Sequence, residues 1–265
     1  MKNRIALMTL ALAGILSVWL VMAGPTPAPQ TSLVGSEENL HLENNKSPYQ
    51  FHLDHYKVYL IEPQPLELKV YLQDQFDVDG DFKSVKVRQY ERFLNPVDKN
   101  GEGIIDKHAH LNWYFIDPEF PDPTRKVTLY NQFGLQTIKI GRAVGLLVPT
   151  EKIEPGSEFP GRLDHYKVYL VLDGQPIFRD VSLKDQFHSS GNFVQKPVYF
   201  AVPVAKRHQN YYPINNKEDH LIFYTLDPRD INEFRETKDQ FGLHIMKTRW
   251  CELLGVPSKK LAWSE

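Results

Sequence analysis

The sequence predicts an all-β protein of four related units, arranged as two tandem homologous β-sandwich or barrel-like domains. Three observations predict this. Leu53–Leu60, LDHYKVYL, returns letter for letter as Leu163–Leu170. His55, His110, His165 and His220 follow one another at intervals of 55 residues, which marks an internal repeat. Between residues 49 and 261 apolar and polar residues alternate with period 2 over short runs, and no long 3.6-residue periodicity appears.

Unit one opens with the strand pattern His52–Ile61, rich in aromatic and β-branched residues. Leu66–Leu72 then alternates and runs into Asp74-Gln75-Phe76. Phe82–Val87 is a further strand candidate, and Phe93–Lys99 closes the unit. Unit two repeats the order from His110, through Lys126–Tyr130, Asn131-Gln132-Phe133-Gly134 and Thr137–Ile140, to Leu146–Lys152. Unit three runs from His165, through Asp185-Gln186-Phe187 and Phe193–Val198, to Phe200–Lys206. Unit four runs from His220, through Asp239-Gln240-Phe241-Gly242, to Leu254–Lys260. Each unit therefore reads: strand with His, strand, Gln-Phe corner, strand, then a Pro with a Lys three residues on.

Units one and three resemble each other most closely, as do two and four. A two-unit module of about 110 residues buries enough surface to fold alone, whereas one unit of about 50 would be marginal. The Pro- and Gly-rich stretch 153–161 reads as a linker. Two β domains are expected, 49–152 and 162–261. The rival is a single four-bladed, propeller-like ring, since four repeats of three to four strands also suit that architecture.

The N-terminus is of a different kind. Lys2 and Arg4 precede an apolar run from Ile5 to Met22, with small residues before a cut after Ala23. Residues 1–23 read as a secretory signal peptide, with an uncleaved anchor as the alternative. Residues 24–48, rich in Pro, Ser, Glu and Asn, read as a disordered linker. The body of the chain is expected to be secreted or extracytoplasmic, in a periplasm or on a cell surface, with membrane contact only through residues 1–23 if they stay attached. A formal charge of −2 over 265 residues, becoming −4 when Lys2 and Arg4 leave, gives no pull toward nucleic acid. The single Cys251 cannot close an intrachain disulfide, and reads as a small buried hydrophobe.

Asp54-His55, Asn95-Pro96-Val97-Asp98-Lys99-Asn100-Gly101-Glu102-Gly103-Ile104, the Gln-Phe corners and Val256-Pro257-Ser258-Lys259-Lys260 carry a resemblance. Together they resemble a family of secreted bacterial repeat domains of unknown function, with D-Q-F-G and L-C-x-P-V-D-K-N-G-E-G motifs. The resemblance implies an extracytoplasmic β domain and implies no activity. Where that family carries cysteines, this chain has Val58 and Leu94, Trp113 and Leu147, Val168 and Ala201, and Phe223 and Gly255. If the family's cysteines pair within a unit, each of these pairs should touch. Gly255, the one residue without an apolar side chain, is expected to mark a frayed last unit.

The four histidines invite a metal or acid–base reading. They occur once per unit at an equivalent place, which suits a structural part better than an asymmetric catalytic site. The same logic makes Phe76, Phe133, Phe187 and Phe241 buried corner residues, with each neighbouring Gln bonding backbone. It makes the recurring lysines 99, 152, 206 and 260 partners of strand-end carbonyls. Asp54, Asp164 and Asp219 flank three histidines and are expected to cap turns, for no nucleophile elbow accompanies them. Asp77, Asp79 and Asp81 form the best calcium-like run, but it lacks the remaining ligands of an EF-hand loop. Tyr211 and Tyr212 break the repeat, having no counterpart in unit one, and are the candidate binding residues. Trp250 and Trp263 are further aromatic candidates near the end of the chain.

These residues point to a non-catalytic structural or binding module for an unknown envelope component, polysaccharide or protein, with no nucleic-acid partner and no cofactor. The alternatives are an extracytoplasmic hydrolase or metal-dependent enzyme with its site between the domains, and a calcium-stabilised adhesin-like module.

Overall fold

The computed structural model describes residues 48–265. The expected signal segment and residues 24–47 of the expected linker lie outside the described residues.

Thirteen strands and no helix make up the described chain. Unit one supplies β1 (His55–Asp74) and β2 (Lys83–Lys99). Unit two supplies β3 (His110–Pro118), β4 (Arg125–Asn131) and β5 (Gly134–Ile153). Unit three supplies β6 (His165–Asp173), β7 (Arg179–Lys184), β8 (Ser189–Val194), β9 (Pro197–His208) and β10 (Asn210–Tyr212). Unit four supplies β11 (His220–Asp230), β12 (Phe234–Asp239) and β13 (Gly242–Ser264).

The first and last long strands of each unit pair as an antiparallel hairpin, and each hairpin pairs with the next in chain order. The order β1, β2, β3, β5, β6, β9, β11, β13 closes when β13 pairs back onto β1, with Tyr56 opposite Gly255. The all-β class is therefore as expected. The sheet, however, does not stop at the expected linker 153–161: β5 pairs with β6 across it, and the described residues 48–265 belong to one compact unit. Nor is this a ring of propeller blades, because a blade is its own sheet and here the ladder passes from each unit to the next. Pairing β13 with β1 removes the two open edges that a flat meander would leave.

Two burial patterns in the sequence now have a cause. Ring strands are buried on both faces, as in the run Tyr56–Tyr59 or Leu146–Thr150. The inner face holds Tyr56, Val58, Leu94, Leu111, Trp113, Leu147, Tyr166, Val168, Ala201, Leu221, Phe223 and Leu253. Trp113 and Phe223, from opposite units, meet across it with ring centroids 5.2 Å apart. The outer face is covered by the arms, the hairpin ends that continue beyond the ring. Their strands alternate buried and exposed residues, as in β4, because only one side lies on the ring.

The four pairs at the resembling family's cysteine positions are each directly opposite in register: Val58 with Leu94, Trp113 with Leu147, Val168 with Ala201, and Phe223 with Gly255. Gly255 does not mark a frayed unit. A Cβ there would lie 2.8 Å from the Phe223 ring, and its neighbours Leu254 and Val256 are fully buried. The glycine makes room for a phenyl ring in a close-packed interior.

Candidate functional site

The repeated residues build sockets for the arms. Each arm tip lands on the unit two places round the ring: β1 on β9, β4 on β13, β7 on β2, and β12 on β5. At each tip the Asp or Asn before Gln-Phe accepts the backbone N–H of the Phe. This is the Asx turn that reverses the chain: Asp74 to Phe76 at 2.8 Å, Asn131 to Phe133 at 2.8 Å, Asp185 to Phe187 at 3.1 Å, Asp239 to Phe241 at 2.7 Å. The second side-chain atom of the same residue meets a tyrosine of the opposite unit. Tyr169 donates to Asp74 at 2.5 Å, Tyr59 to Asp185 at 2.6 Å and Tyr114 to Asp239 at 2.5 Å, while Asn131 donates to Tyr224 at 2.9 Å. Each Phe packs edge-on against that tyrosine, with centroids 5.0–5.5 Å apart. Phe76 is buried; Phe133, Phe187 and Phe241 are partly so.

The backbone bond assigned to the corner Gln is thus made by the Asp or Asn; Gln75, Gln132 and Gln240 reach histidines, whereas Gln186 bonds Asn95 and Lys152. His220 donates from Nδ1 to the Glu218 carbonyl at 2.9 Å, leaving Nε2 to accept from Gln75 at 2.7 Å. Gln240 bonds His165 at 2.5 Å, and Gln132 neighbours His55. His110 stacks on Phe93. Burial is the main cause that lowers all four imidazoles: His55 and His110 to about 3, His220 to about 4, and His165 well below its usual value. The four are separate neutral parts of four sockets, not one cluster. The recurring lysines also differ from expectation. Lys152 and Lys206 donate to Gln186 and Gln240, Lys260 lies over Phe76, and Lys99 pairs with Glu102. Their partners are side chains, not strand-end carbonyls.

Asp54 accepts the N–H groups of Ile105 and Asp106 at 2.6 and 2.9 Å, and Asp164 accepts those of Asn215 and Asn216 at 2.7 and 2.8 Å. Asp219 faces His52 at 3.7 Å. A cleft of about 470 Å³ does gather Asp164 and His165 with Tyr212 and Gln240. Both carboxylate oxygens of Asp164 are held by amides, and His165 is buried and bonded to Gln240, so neither is placed as a base beside a nucleophile.

The calcium-like carboxylates are not brought together. Asp77 accepts the N–H of Asp74 at 3.0 Å, Asp79 meets Gln73 at 3.4 Å, and Asp81 pairs with Lys83. Among the described residues no group of three or more His, Cys, Asp or Glu is arranged to hold a metal ion. Cys251 is buried, and desolvation raises its thiol to about 12. Trp263 packs edge-on against Phe76, and Trp250 donates to Glu252 at 3.4 Å.

Another open groove lies where the repeat is broken. The strand β10 exists only in unit three. Gln209, with φ of 55°, turns the chain back in a single residue, so that Tyr211 lies opposite Arg207. Arg207 is also opposite Tyr71 on the arm of unit one. Tyr71, Arg207 and Tyr211 therefore stand side by side across three strands, with the tyrosines about 10 Å apart by the strand spacing. The Arg207 guanidinium lies 4.0 Å from the centroid of Phe82 and 5.5 Å from that of Tyr211, and Lys69 lies 5.5 Å from that of Tyr71. These residues line a groove of about 570 Å³. Tyr211 is 57% and Tyr71 42% exposed. Tyr212 is turned the other way, toward Lys206 and His165, and lines the cleft instead. Sequence reading reached Tyr211 because it breaks the repeat. It missed Lys69, Tyr71, Phe82 and Arg207, whose only signal is a register between strands of different units.

A family model described as a repeat of unknown function (DUF7450) matches residues 110–257. The chain belongs to that repeat family. The match begins at His110, the first residue of unit two, and ends at Pro257, inside β13. No curated protein and no solved structure matches the chain.

Proposed function

We propose that this member of the repeat family is a non-catalytic binding module that works outside the cytoplasmic membrane, delivered by cleavage after Ala23. Its docking site is the shelf of Tyr71, Phe82, Arg207 and Tyr211. The observation that carries this reading is the contrast between what is repeated and what is not. Histidines, corner phenylalanines and Asp or Asn tips recur in every unit and are consumed in arm sockets. The shelf occurs once, joins two units, and leaves aromatic faces and charged groups open to solvent. Exposed aromatics flanking an arginine suit recognition, since they offer large contact area and a directional donor.

The test is co-sedimentation of the full chain with isolated cell-envelope material. The wild-type protein is expected in the pellet. Tyr211→Ala and Tyr71→Ala, both on exposed side chains, are expected to stay in the supernatant while keeping the wild-type melting curve. Equal pelleting of all three proteins would remove the shelf from the mechanism.

A further inference from the structure

Building on that reading, we infer that the shelf binds an acidic polysaccharide, one whose sugar rings stack on Tyr211 and Tyr71 and whose anionic group pairs with Arg207 and Lys69.

The electrostatics of the groove carry the inference. Arg207 and Lys69 bring two fixed positive charges to it, while His208, Gln209 and Asn210 complete its wall without a carboxylate. Neither the Arg207 guanidinium nor the Lys69 ammonium makes a hydrogen bond or ion pair among the described residues; each has only ring faces beneath it. Some exposed cations elsewhere are paired, while others, such as Lys86, Lys126, Lys139 and Arg142, stand on the surface with no ion pair among the described residues. Arg88 pairs with Glu67 and Asp117, Lys83 with Asp81, and Lys247 with Glu62. What distinguishes this groove is that two unpaired cations share one lining with aromatic rings and no carboxylate, a charge balance that suits an anion. Guanidinium supplies a planar fork suited to a carboxylate or sulfate, and stacking on Phe82 restricts the orientation of that fork before the ligand arrives.

The aromatic geometry selects among anions. A free inorganic ion has no use for rings on both sides of the guanidinium. A pyranose has an apolar face that covers an aromatic ring while its hydroxyls remain hydrated, and a polymer of them reaches from Tyr211 to Tyr71. Nucleic acid also combines stacking faces with anionic groups. It carries one charge per nucleotide, however, and its affinity depends on neutralising many phosphates at once. Two cations on an acidic protein supply little of that, so the acidic polysaccharide is favoured.

The hairpin geometry shows how the site is held. Tyr211 sits on a three-residue strand whose entry needs a left-handed residue at Gln209, a conformation costly for a non-glycine side chain and retained where surrounding structure enforces it. His208 reinforces the turn, its ring nitrogen Nδ1 lying 3.2 Å from the Lys69 carbonyl, so β9 and the unit-one arm are tied together beside the groove.

The experiment is isothermal titration of the full chain with four probes: a carboxylated oligosaccharide (oligogalacturonate), its neutral counterpart (galacto-oligosaccharide), a sulfated oligosaccharide, and oligo-dT. The carboxylated or the sulfated probe is expected to bind at least about tenfold more tightly than the neutral one, and to weaken as salt rises. Comparing the two acidic probes identifies which anionic group the fork prefers. Arg207→Gln is expected to remove that tenfold preference while leaving residual binding to the neutral probe, whereas Tyr211→Ala weakens both kinds of probe. Should either variant lose its circular dichroism spectrum, Arg207→Lys keeps the charge and loses the fork, and is expected to fall in between. Equal affinity for neutral and acidic sugars would overturn this inference and leave the binding-module reading standing. Preference for oligo-dT would overturn it in favour of nucleic acid. No binding by any probe, together with envelope pelleting that depends on Tyr211, would overturn the polysaccharide and not the shelf.

Discussion

The Tyr59 hydroxyl donates a 2.6 Å hydrogen bond to Asp185, 126 positions away in the chain. The bond joins unit one to the arm of unit three, and Tyr169 returns it from unit three to Asp74 in unit one. Units two and four exchange the same contact through Tyr114 with Asp239 and Tyr224 with Asn131. A meandering ring has only neighbour contacts; these four latches tie units that are not neighbours. Tyr169→Phe should lower stability by about 1–3 kcal/mol in urea titration, the usual cost of stranding a buried acceptor. Asp74→Ala should cost more, because the Phe76 turn and a buried ion partner of Lys167 go with it. Equal effects of the two substitutions would contradict the latch.

The sockets come in charged and neutral versions. Lys57 is buried 3.6 Å from Asp185. At the equivalent place in unit four the chain has Ile222, and the tip bonded to that unit's Tyr224 is Asn131, which carries no charge. Breaking a buried pair on one side leaves an uncompensated charge, at about 3–5 kcal/mol. Lys57→Ile should therefore be strongly destabilising, and adding Asp185→Asn should recover much of the loss. A double-mutant cycle with no coupling would show that the two residues are independent.

Acid should open the sockets. The four buried histidines have folded values below the usual ~6.5, so each stays neutral in the fold while the unfolded chain takes up its proton. Their contribution is fully present above pH ~6.5 and is lost as pH falls from there toward their folded values. Through the histidines, unfolding at pH 5 should take up about four protons, read as the slope of stability against pH. The carboxyls of Asp54, Asp77, Asp164 and Asp219 are raised above their ordinary value of 3.8 by burial, which acts with the opposite sign from that value upward and subtracts from the histidine slope. His220→Gln should reduce the slope by about one proton.

Metal removal should change nothing. Asp77, Asp79 and Asp81 have separate partners, and a ligand that binds only the native state is what raises a melting midpoint. The midpoint of the full chain is expected to be the same with chelator, Ca²⁺ or Zn²⁺. A chelator-sensitive midpoint restored by one ion would revive the calcium reading.

The register of the ring predicts a disulfide. Val168 and Ala201 are opposed on β6 and β9 at positions where the resembling family has cysteines. Val168→Cys with Ala201→Cys should close a bridge under oxidising conditions and add stability on the order of 2–4 kcal/mol. A thiol count should then find Cys251 alone.

Strand content, the four units and their boundaries were all legible in the chain. Aromatic and β-branched runs with period 2 report local backbone preference, and an exact repeat reports its own length. His55, His110, His165 and His220 stood out as equivalent positions, and Tyr211 because it interrupts that equivalence. What pairs with what was not legible. Lys57 gives no sign of Asp185, nor Tyr71 of Arg207, because each pairing depends on how a closed ring places strands far apart in the chain. Close resemblance of units one and three suggested two modules side by side; in the tertiary structure those units stand opposite and exchange arms. Local sequence determines which segments become strands and which face of each is apolar. Only closure of the ring, which satisfies its edges and buries both faces of its strands, decided the partners, the sockets and the shelf.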